Sequence, residues 1–379
     1  MALVLTEEQQ ILQKTAQEFI AANAPLTQLR KLRDSNDDLG FSRELWKEMA
    51  QLGWVGLAEE EAYGGSGLGA AELGILFEEC GRTLAATPML STAVLGAGCI
   101  RLGGSSEIKS EILPAVALGD KLLALAMDEG PRFSPYSIET TATKAEDGYT
   151  VSGRKAFVLD GHTADHIVVV ARSSGASGDR DGLTLLLVDR AAPGLKIQRT
   201  TMIDTRNAAI VELAEVSVPA SRVLGEVGHG ADILDLVIET GTACLCAEML
   251  GAMSYSFDTT VSYLKTREQF GVKIGSFQGL KHRAAHMFAE LELARSVSLE
   301  VLRAIDENGN DVPTLVSVAK ARCSDAANLL SREMLQMHGG IGMTDEADIG
   351  FFLKRAQVTE QTLGNGDYHR DRFASLQGY

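Results

Sequence analysis

Two segments carry residue types whose spacing suits an anionic dinucleotide. In Arg267-Glu268-Gln269-Phe270-Gly271-Val272-Lys273-Ile274-Gly275-Ser276-Phe277-Gln278, a guanidinium, an aromatic ring and a terminal glutamine fall within one short stretch. A guanidinium suits a pyrophosphate because its planar fork donates two parallel hydrogen bonds and keeps its charge. Gln278 offers both a donor and an acceptor to an adenine or a phosphate. About sixty residues on comes Gln336-Met337-His338-Gly339-Gly340-Ile341-Gly342. Glycine pairs let backbone N–H groups approach a phosphate or ribose with no Cβ in the way. A plain helix C-cap would explain one of these glycines but not Gly339, Gly340 and Gly342 together. The first segment could equally be a solvated Arg-Glu turn between helices. His338, set in a glycine loop, reads as a positioning residue rather than an acid or base.

The elements that must hold these segments follow from periodicity. Residues 1–122 read as helical, with Leu5, Ile11, Leu12, Phe19 and Ile20 at helical spacing behind Thr6 as N-cap. Tyr63 to Gly69 reads as a loop, and Ala71 to Cys80 as a helix closed by Gly81 at its C-cap. Residues 123–232 change to β-rich runs, including Tyr149–Gly153, His166–Ala171, Leu183–Val188 and Ile210–Val218, with Asp147-Gly148 as a hairpin turn. Residues 233–379 return to long helices, from Asp232 towards Leu264, from Phe277 past Ile305 and from Pro313 towards Met337. The first of these, at ~1.5 Å per residue, would be on the order of 45 Å long, a length that suits a bundle.

Composition limits the alternatives. A 379-residue chain with 45% hydrophobic and 23% charged residues is ordinary for a globular protein of two or three domains. A net charge of −16 argues against a nucleic-acid partner, which needs a basic footprint, and leaves anionic ligands to local donors. No apolar run is long enough to span a membrane. The N-terminus lacks the basic and apolar regions of a secretory signal. Five scattered cysteines without CxxC spacing point to free thiols in a reducing cytoplasm. The dispersed histidines and cysteines give no metal site, and neither a GxSxG elbow nor a GxxxxGK[ST] loop is present.

In this order the two segments resemble the RxxFGxxIxxFQ and QxHGGxG motifs of the acyl-CoA dehydrogenase family. Further matches are Leu5-Thr6-Glu7-Glu8-Gln9, Glu60 to Gly65 with Phe77 to Arg82, Gly148 to Lys155, and Val223 to Gly228, so that the resemblance spans the whole chain. It implies an α+β multidomain fold. The parts would be an N-terminal α-helical domain (1–122), a middle β-barrel-like domain (123–232), and a C-terminal four-helix bundle (233–379) carrying FAD contacts and the oligomer interface. It implies FAD as cofactor, an acyl-CoA thioester as substrate, an electron-transferring flavoprotein as acceptor, and a homo- or hetero-oligomer such as a tetramer. Carried over by position, Arg267, Gln269, Phe270, Gln278, Gln336, Gly339, Gly340, Phe157 and Asn365 would contact FAD, partly across a subunit interface.

The chain departs from that family where the chemistry needs a base. The family's usual glutamate, in a YEGT-like motif, falls here on Gly364 or Asn365 of Gln361-Thr362-Leu363-Gly364-Asn365-Gly366-Asp367-Tyr368-His369-Arg370. Its other seat, 26 residues before the motif arginine, falls on Gly241, followed by Thr242. The TEPxxGSD strand, which in the family hydrogen-bonds flavin and thioester, reads Met127-Asp128-Glu129-Gly130-Pro131-Arg132-Phe133-Ser134. The W-I-[ST] segment reads Phe157-Val158-Leu159, which keeps an aromatic surface and loses a hydroxyl. Asp367, Glu248 and Glu239 are the carboxylates considered as a substitute base. Asp367 is preferred for its nearness to the lost glutamate, and Glu248 comes next because it shares the helix face of Gly241.

Three readings follow. In the first, an α2β2 subunit resembling sterol and bile-acid side-chain dehydrogenases relies on a partner's glutamate. In the second, a self-sufficient homo-oligomer has relocated its base. In the third, a structural homologue has lost its flavin.

Overall fold

The computed structural model of the chain describes residues 4–379, which form two compact units. One joins the residues up to Lys31 with Ala70–Ala85 and Thr242–Tyr379; the other joins Leu32–Gly69 and Ala86–Gly241. In chain order the helices are α1 (Glu7–Asn23), α2 (Leu26–Asp34), α3 (Arg43–Gln51), α4 (Ala70–Thr83), α5 (Ala97–Gly103), α6 (Ser106–Ala117), α7 (Gly230–Thr266), α8 (Gln278–Asp306), α9 (Val312–His338), α10 (Ile349–Gln361) and α11 (Gly366–Leu376). The strands are β1 (Leu123–Ala126), β2 (Thr141–Ala145), β3 (Gly148–Leu159), β4 (His166–Arg172), β5 (Leu183–Asp189), β6 (Leu195–Thr201), β7 (Asn207–Pro219), β8 (Val223–Leu224), β9 (Glu268–Gln269) and β10 (Val272–Lys273). No helix among the described residues is long and apolar enough to cross a membrane.

The unit that holds the C-terminal residues is helical. Thr6 opens α1 with a reciprocal capping box, its hydroxyl accepting from Gln9 N while the Gln9 side chain accepts from Thr6 N. The N-terminus of α4 is held by Asp306, which accepts from Ala70 N at 2.6 Å and Ala71 N at 2.9 Å. The carboxylate thus satisfies two of the four free N–H groups and matches the helix dipole. Apolar stripes meet inside this unit: Leu245, Leu250 and Met253 from α7, Met287, Leu291 and Val301 from α8, and Val316, Cys323, Leu330 and Met334 from α9 are all buried. Each such side chain contributes about 1.5–3 kcal/mol on burial. All five cysteines are free and buried.

Gly81 does not end its helix. It lies inside α4, where a Cβ would stand 2.1 Å from Glu248 O, and at Gly251 of α7 a Cβ would stand 1.8 Å from Glu78 O. The two glycines let α4 and α7 cross backbone against backbone. Periodicity is blind to this role because the reason for the glycine lies on another helix.

The other unit contains a mixed sheet in the order β6-β7-β3-β2-β4-β5-β8, with β1 parallel to β4. Every residue of β4 is buried, which is why His166-Ile-Val-Val-Val-Ala-Arg172 reads as a continuous apolar run rather than an alternation. The Asp147-Gly148 turn joins β2 to β3 as an antiparallel pair. The β3–β7 ladder shifts register between Lys155 and Val158, leaving one extra residue on β3. This bulge includes Phe157 at φ +51°, an uncommon conformation for a non-glycine residue.

Candidate active site

The dinucleotide motifs lie in the helical unit. Helix α7 ends at Thr266, and Arg267 leads into the β9–β10 hairpin, where Gln269 pairs with Val272 and Glu268 with Lys273. Phe270 and Gly271 occupy the turn with φ of +54° and +77°, the two positive angles a tight hairpin demands. Arg267 O accepts from Ile274 N at 2.9 Å, which closes the hairpin base. The Arg267 side chain is exposed, and among the described residues it makes no ion pair. Gln269 Nε2 donates to Glu268 O at 2.8 Å. Phe270 is 90% exposed, with its ring edge-on to Phe277 at 6.2 Å. Gln278 is exposed as the first residue of α8.

At the far end of α9, Gln336 is exposed and its carbonyl accepts from Gly339 N. Gly339 has φ +62° and ψ −141°, a region glycine alone adopts readily. A Cβ at Gly339 or Gly340 would meet nothing within 4 Å, so this backbone is open to an approaching group. His338 is buried, with Nδ1 2.7 Å from Met334 O and its ring stacked on Tyr263 at 4.3 Å. Burial pushes its imidazole below the usual histidine range, against the opposing Met334 carbonyl. The ring is therefore a neutral Nδ1–H donor, a supporting group rather than an acid or base.

The carboxylates weighed as a base are differently placed. Asp367 stands in the first turn of α11 with its side chain 92% exposed, accepting from Arg370 Nη1 at 3.1 Å. Glu248 is buried in α7, and its Oε1 accepts from Arg355 Nη1 at 2.8 Å. A narrow cavity of about 10 Å³, room for one water, lies between this pair and Met249, Ser256, Ser331 and Thr359. Glu239 belongs to the sheet-containing unit, where it too is buried in α7.

The stretch on which the family's usual glutamate falls is a built turn. Leu363 and Gly364 have φ of +56° and +93°. Buried Lys320 donates to Glu360 O at 2.8 Å and to Gly364 O at 2.6 Å, while His369 Nε2 lies 2.9 Å from Leu363 O. Burial pushes the Lys320 ammonium down to about 8. Asn365 caps α11, its Oδ1 accepting from Tyr368 N at 2.9 Å. The other seat, Gly241 followed by fully buried Thr242, likewise offers no acid.

In the sheet-containing unit, the end of β1 and the bulge of β3 lie together. Ala156 N donates to Asp128 O at 2.7 Å. The Phe157 side chain is half-exposed. Lys155 is wholly buried, donating to Met127 O at 3.1 Å and to Glu129 Oε1 at 2.6 Å. Burial lowers its ammonium to about 8, with Glu129 opposing. Burial raises the Glu129 carboxyl, yet Lys155 outweighs it and holds the group below the ordinary range. Asp128 Oδ1 is buried with no hydrogen-bond partner. The lack of a partner at Asp128 Oδ1 follows from Lys155 turning to Glu129 and Met127 O, which no local sequence pattern encodes.

In the helical unit, the exposed Arg267 guanidinium and the open Gly339-Gly340 backbone suit an anionic dinucleotide. In the sheet-containing unit, the half-exposed Phe157 ring suits a flat aromatic partner.

The sequence matches the family descriptions "Acyl-CoA dehydrogenase, N-terminal domain" over residues 6–120, "middle domain" over 125–215 and "C-terminal domain" over 228–376. The chain belongs to the acyl-CoA dehydrogenase family, whose members are FAD-dependent oxidoreductases. Among its relatives is the mitochondrial isovaleryl-CoA dehydrogenase of Oryza sativa subsp. japonica, 30% identical over 96% of this chain and 89% of that protein. Among solved structures, the ChsE4-ChsE5 complex from Mycobacterium tuberculosis superposes with a TM-score of 0.91 at 26% identity, covering all of both chains. A variant of the Tcur3481-Tcur3483 steroid ACAD gives 0.88 at 31% identity, covering 98% of each.

Proposed function

We propose that this chain is one subunit of a heteromeric α2β2 acyl-CoA dehydrogenase whose paralogous partner supplies the catalytic glutamate. The observation that carries the reading is the state of the carboxylates. Gly364, Asn365, Gly241 and Thr242 occupy the family's two seats for a base, Glu248 is committed to Arg355, and Asp367 lies in solvent beside Arg370. A base must reach the α-hydrogen of a thioester whose carbonyl is polarised, in a site that excludes water. A solvated carboxylate on an exposed helix turn is poorly suited to that task. Two of the similar solved structures, the ChsE4-ChsE5 complex and the Tcur3481-Tcur3483 steroid ACAD, pair two chains, and the second supports a sterol or bile-acid side-chain thioester as substrate.

Within such an assembly FAD supplies the two-electron acceptor. This chain's residues bind and orient. Arg267 holds the pyrophosphate, Gln278 and Gln336 contact the adenosine half, and the Gly339-Gly340 backbone allows close approach. Gln269, Phe270 and Asn365 line the same cofactor, and Phe157 offers a stacking face. Removal of the α-proton falls to the partner's glutamate. An electron-transferring flavoprotein takes the electrons onward, and five free, buried thiols suit a cytoplasmic location.

The test is Asp367→Asn in the co-purified assembly, read by anaerobic bleaching of the flavin on mixing with acyl-CoA. The expected rate is that of the unaltered assembly. Loss of bleaching with flavin still bound would make Asp367 the base and overturn the heteromeric reading.

A further inference from the structure

The register of the sheet lines up three side chains that dehydrogenation leaves unused. β1 and β4 run parallel with Leu123 opposite His166, and Lys121, two residues before β1, lies alongside that histidine. β4 and β5 run antiparallel with Asp189 opposite the same His166. Lys121 Nζ stands 2.8 Å from His166 Nε2, and Asp189 Oδ2 stands 3.8 Å from His166 Nδ1. An ammonium only donates, so Nε2 is the accepting nitrogen and the ring proton sits on Nδ1, facing the carboxylate. Burial and then Lys121 hold the imidazole below its usual range, against Asp189, and the ring is neutral. Backbone bonds fix the row: Asp165 N donates to Leu122 O at 2.8 Å, and Leu122 N donates to Asp165 Oδ2 at 2.7 Å.

The row opens on solvent. A hollow of about 370 Å³ is lined by Lys121, Asp165, His166, Asp189 and Arg190, and a second of about 190 Å³ shares His166 and Asp189 and reaches Arg222. Lys121, Arg190 and Arg222 face Asp165 and Asp189 there, so an anionic reagent meets a local balance unlike the −16 of the whole chain. A nucleophile within hydrogen-bond reach of a base, with the base oriented by a third group, is the arrangement of nucleophilic catalysis. Here the nucleophile is an amine, and the hollow gives an acyl donor room to reach it.

We propose that Lys121 is a self-acylation site, at which an acyl-CoA thioester transfers its acyl group to the ε-amine with His166 as base. The site is independent of which chain supplies the base for dehydrogenation; it takes from that reading only that acyl-CoA thioesters are at hand. Like any lysine, Lys121 first releases one proton to water. The Nζ lone pair then adds to the thioester carbonyl, forming the N–C bond and an adduct with a positive nitrogen and a negative oxygen. His166 Nε2 takes the second proton from that nitrogen. The C–S bond breaks as the oxygen's electron pair returns, and the CoA thiolate leaves and collects a proton from solvent. A neutral imidazole suits this step, because the nitrogen of the adduct is more acidic than a free ammonium. The imidazolium that forms faces Asp189. The product is an uncharged amide, and the hollow loses one of its cations.

The test incubates the purified full chain with acetyl-CoA and follows acetylation at each lysine by peptide mass spectrometry, with exposed Lys144 and Lys196 as internal references. Lys121 should react on the order of tenfold faster than either, below the usual span for a positioned base because this imidazole is a weak one. His166→Gln should bring Lys121 down to the reference rate, and Asp189→Asn should slow it severalfold, with thermal melts reporting that each variant is folded. Asp189 has a 62% exposed side chain, so its variant carries the comparison should His166→Gln fail to fold. Acetic anhydride, which needs no base to complete the transfer, should label Lys121 no faster than the references. A Lys121 rate equal to the references in the unaltered chain would overturn the proposal. So would an advantage that survives the substitutions or persists with the anhydride. Fast acetylation of Lys121 in a chain that forms no active dehydrogenase with any partner would overturn the proposed function and leave this site standing.

Discussion

At the scale of single residues, the informative contrast is between acids that are committed and acids that are not. Glu248 is committed: its partner Arg355 is 2% exposed at the side chain, so the pair sits in low dielectric, where each charge depends on the other. Glu248→Gln should therefore destabilise the fold by about 3–5 kcal/mol, the range for removing one member of a buried pair, measured by chemical denaturation. Were Glu248 a base instead, the same change would remove activity with little loss of stability. Some of this scale was legible in the sequence. The motif residues Arg267, Gln278, Gln336 and Gly339 announce themselves by type and spacing. The Asp367–Arg370 contact at i, i+3 needs only a helix. The Glu248–Arg355 pair joins positions 107 residues apart, and the isolation of Asp128 depends on Lys155 turning to Glu129 instead; no local pattern encodes either.

At the scale of elements, local signals located the pieces well where the cause is local. Thr6 with Gln9 closes a capping box, Asp147-Gly148 makes its hairpin, and the long C-terminal helices run as their apolar spacing indicates. Gly81 misleads because the reason for it is a backbone on another helix. The crossing of α4 and α7 gives a sharp prediction. Gly251→Ala places a methyl 1.8 Å from Glu78 O, and overpacking of that kind costs about 1–3 kcal/mol, exceeding the ~1 kcal/mol that alanine returns through helix propensity. Gly350→Ala in α10, where a Cβ meets nothing within 4 Å, should be neutral or slightly stabilising. Paired thermal melts of the two variants would check the contrast; equal effects would mean that the crossing tolerates a side chain.

At the scale of the whole molecule, compact units are assembled from distant stretches: Ala70–Ala85 packs with the C-terminal helices, while Leu32–Gly69 packs with the sheet. The dinucleotide motifs and the open glycines belong to one unit, and the orphaned acid and exposed aromatic belong to the other. Arg267, Gln278, Gln336, Gly339 and Gly340 keep the residue types of the family's motifs, while both customary positions of its acid carry other residues. That combination is what the proposed pairing with a second, acid-bearing chain rests on.

The most direct measurement is turnover of an acyl-CoA with an artificial electron acceptor, by this chain purified alone and by the chain co-expressed with a glutamate-bearing paralogue. The account predicts no turnover for the chain alone and sustained turnover for the assembly. Vigorous dehydrogenation by the single chain would contradict it.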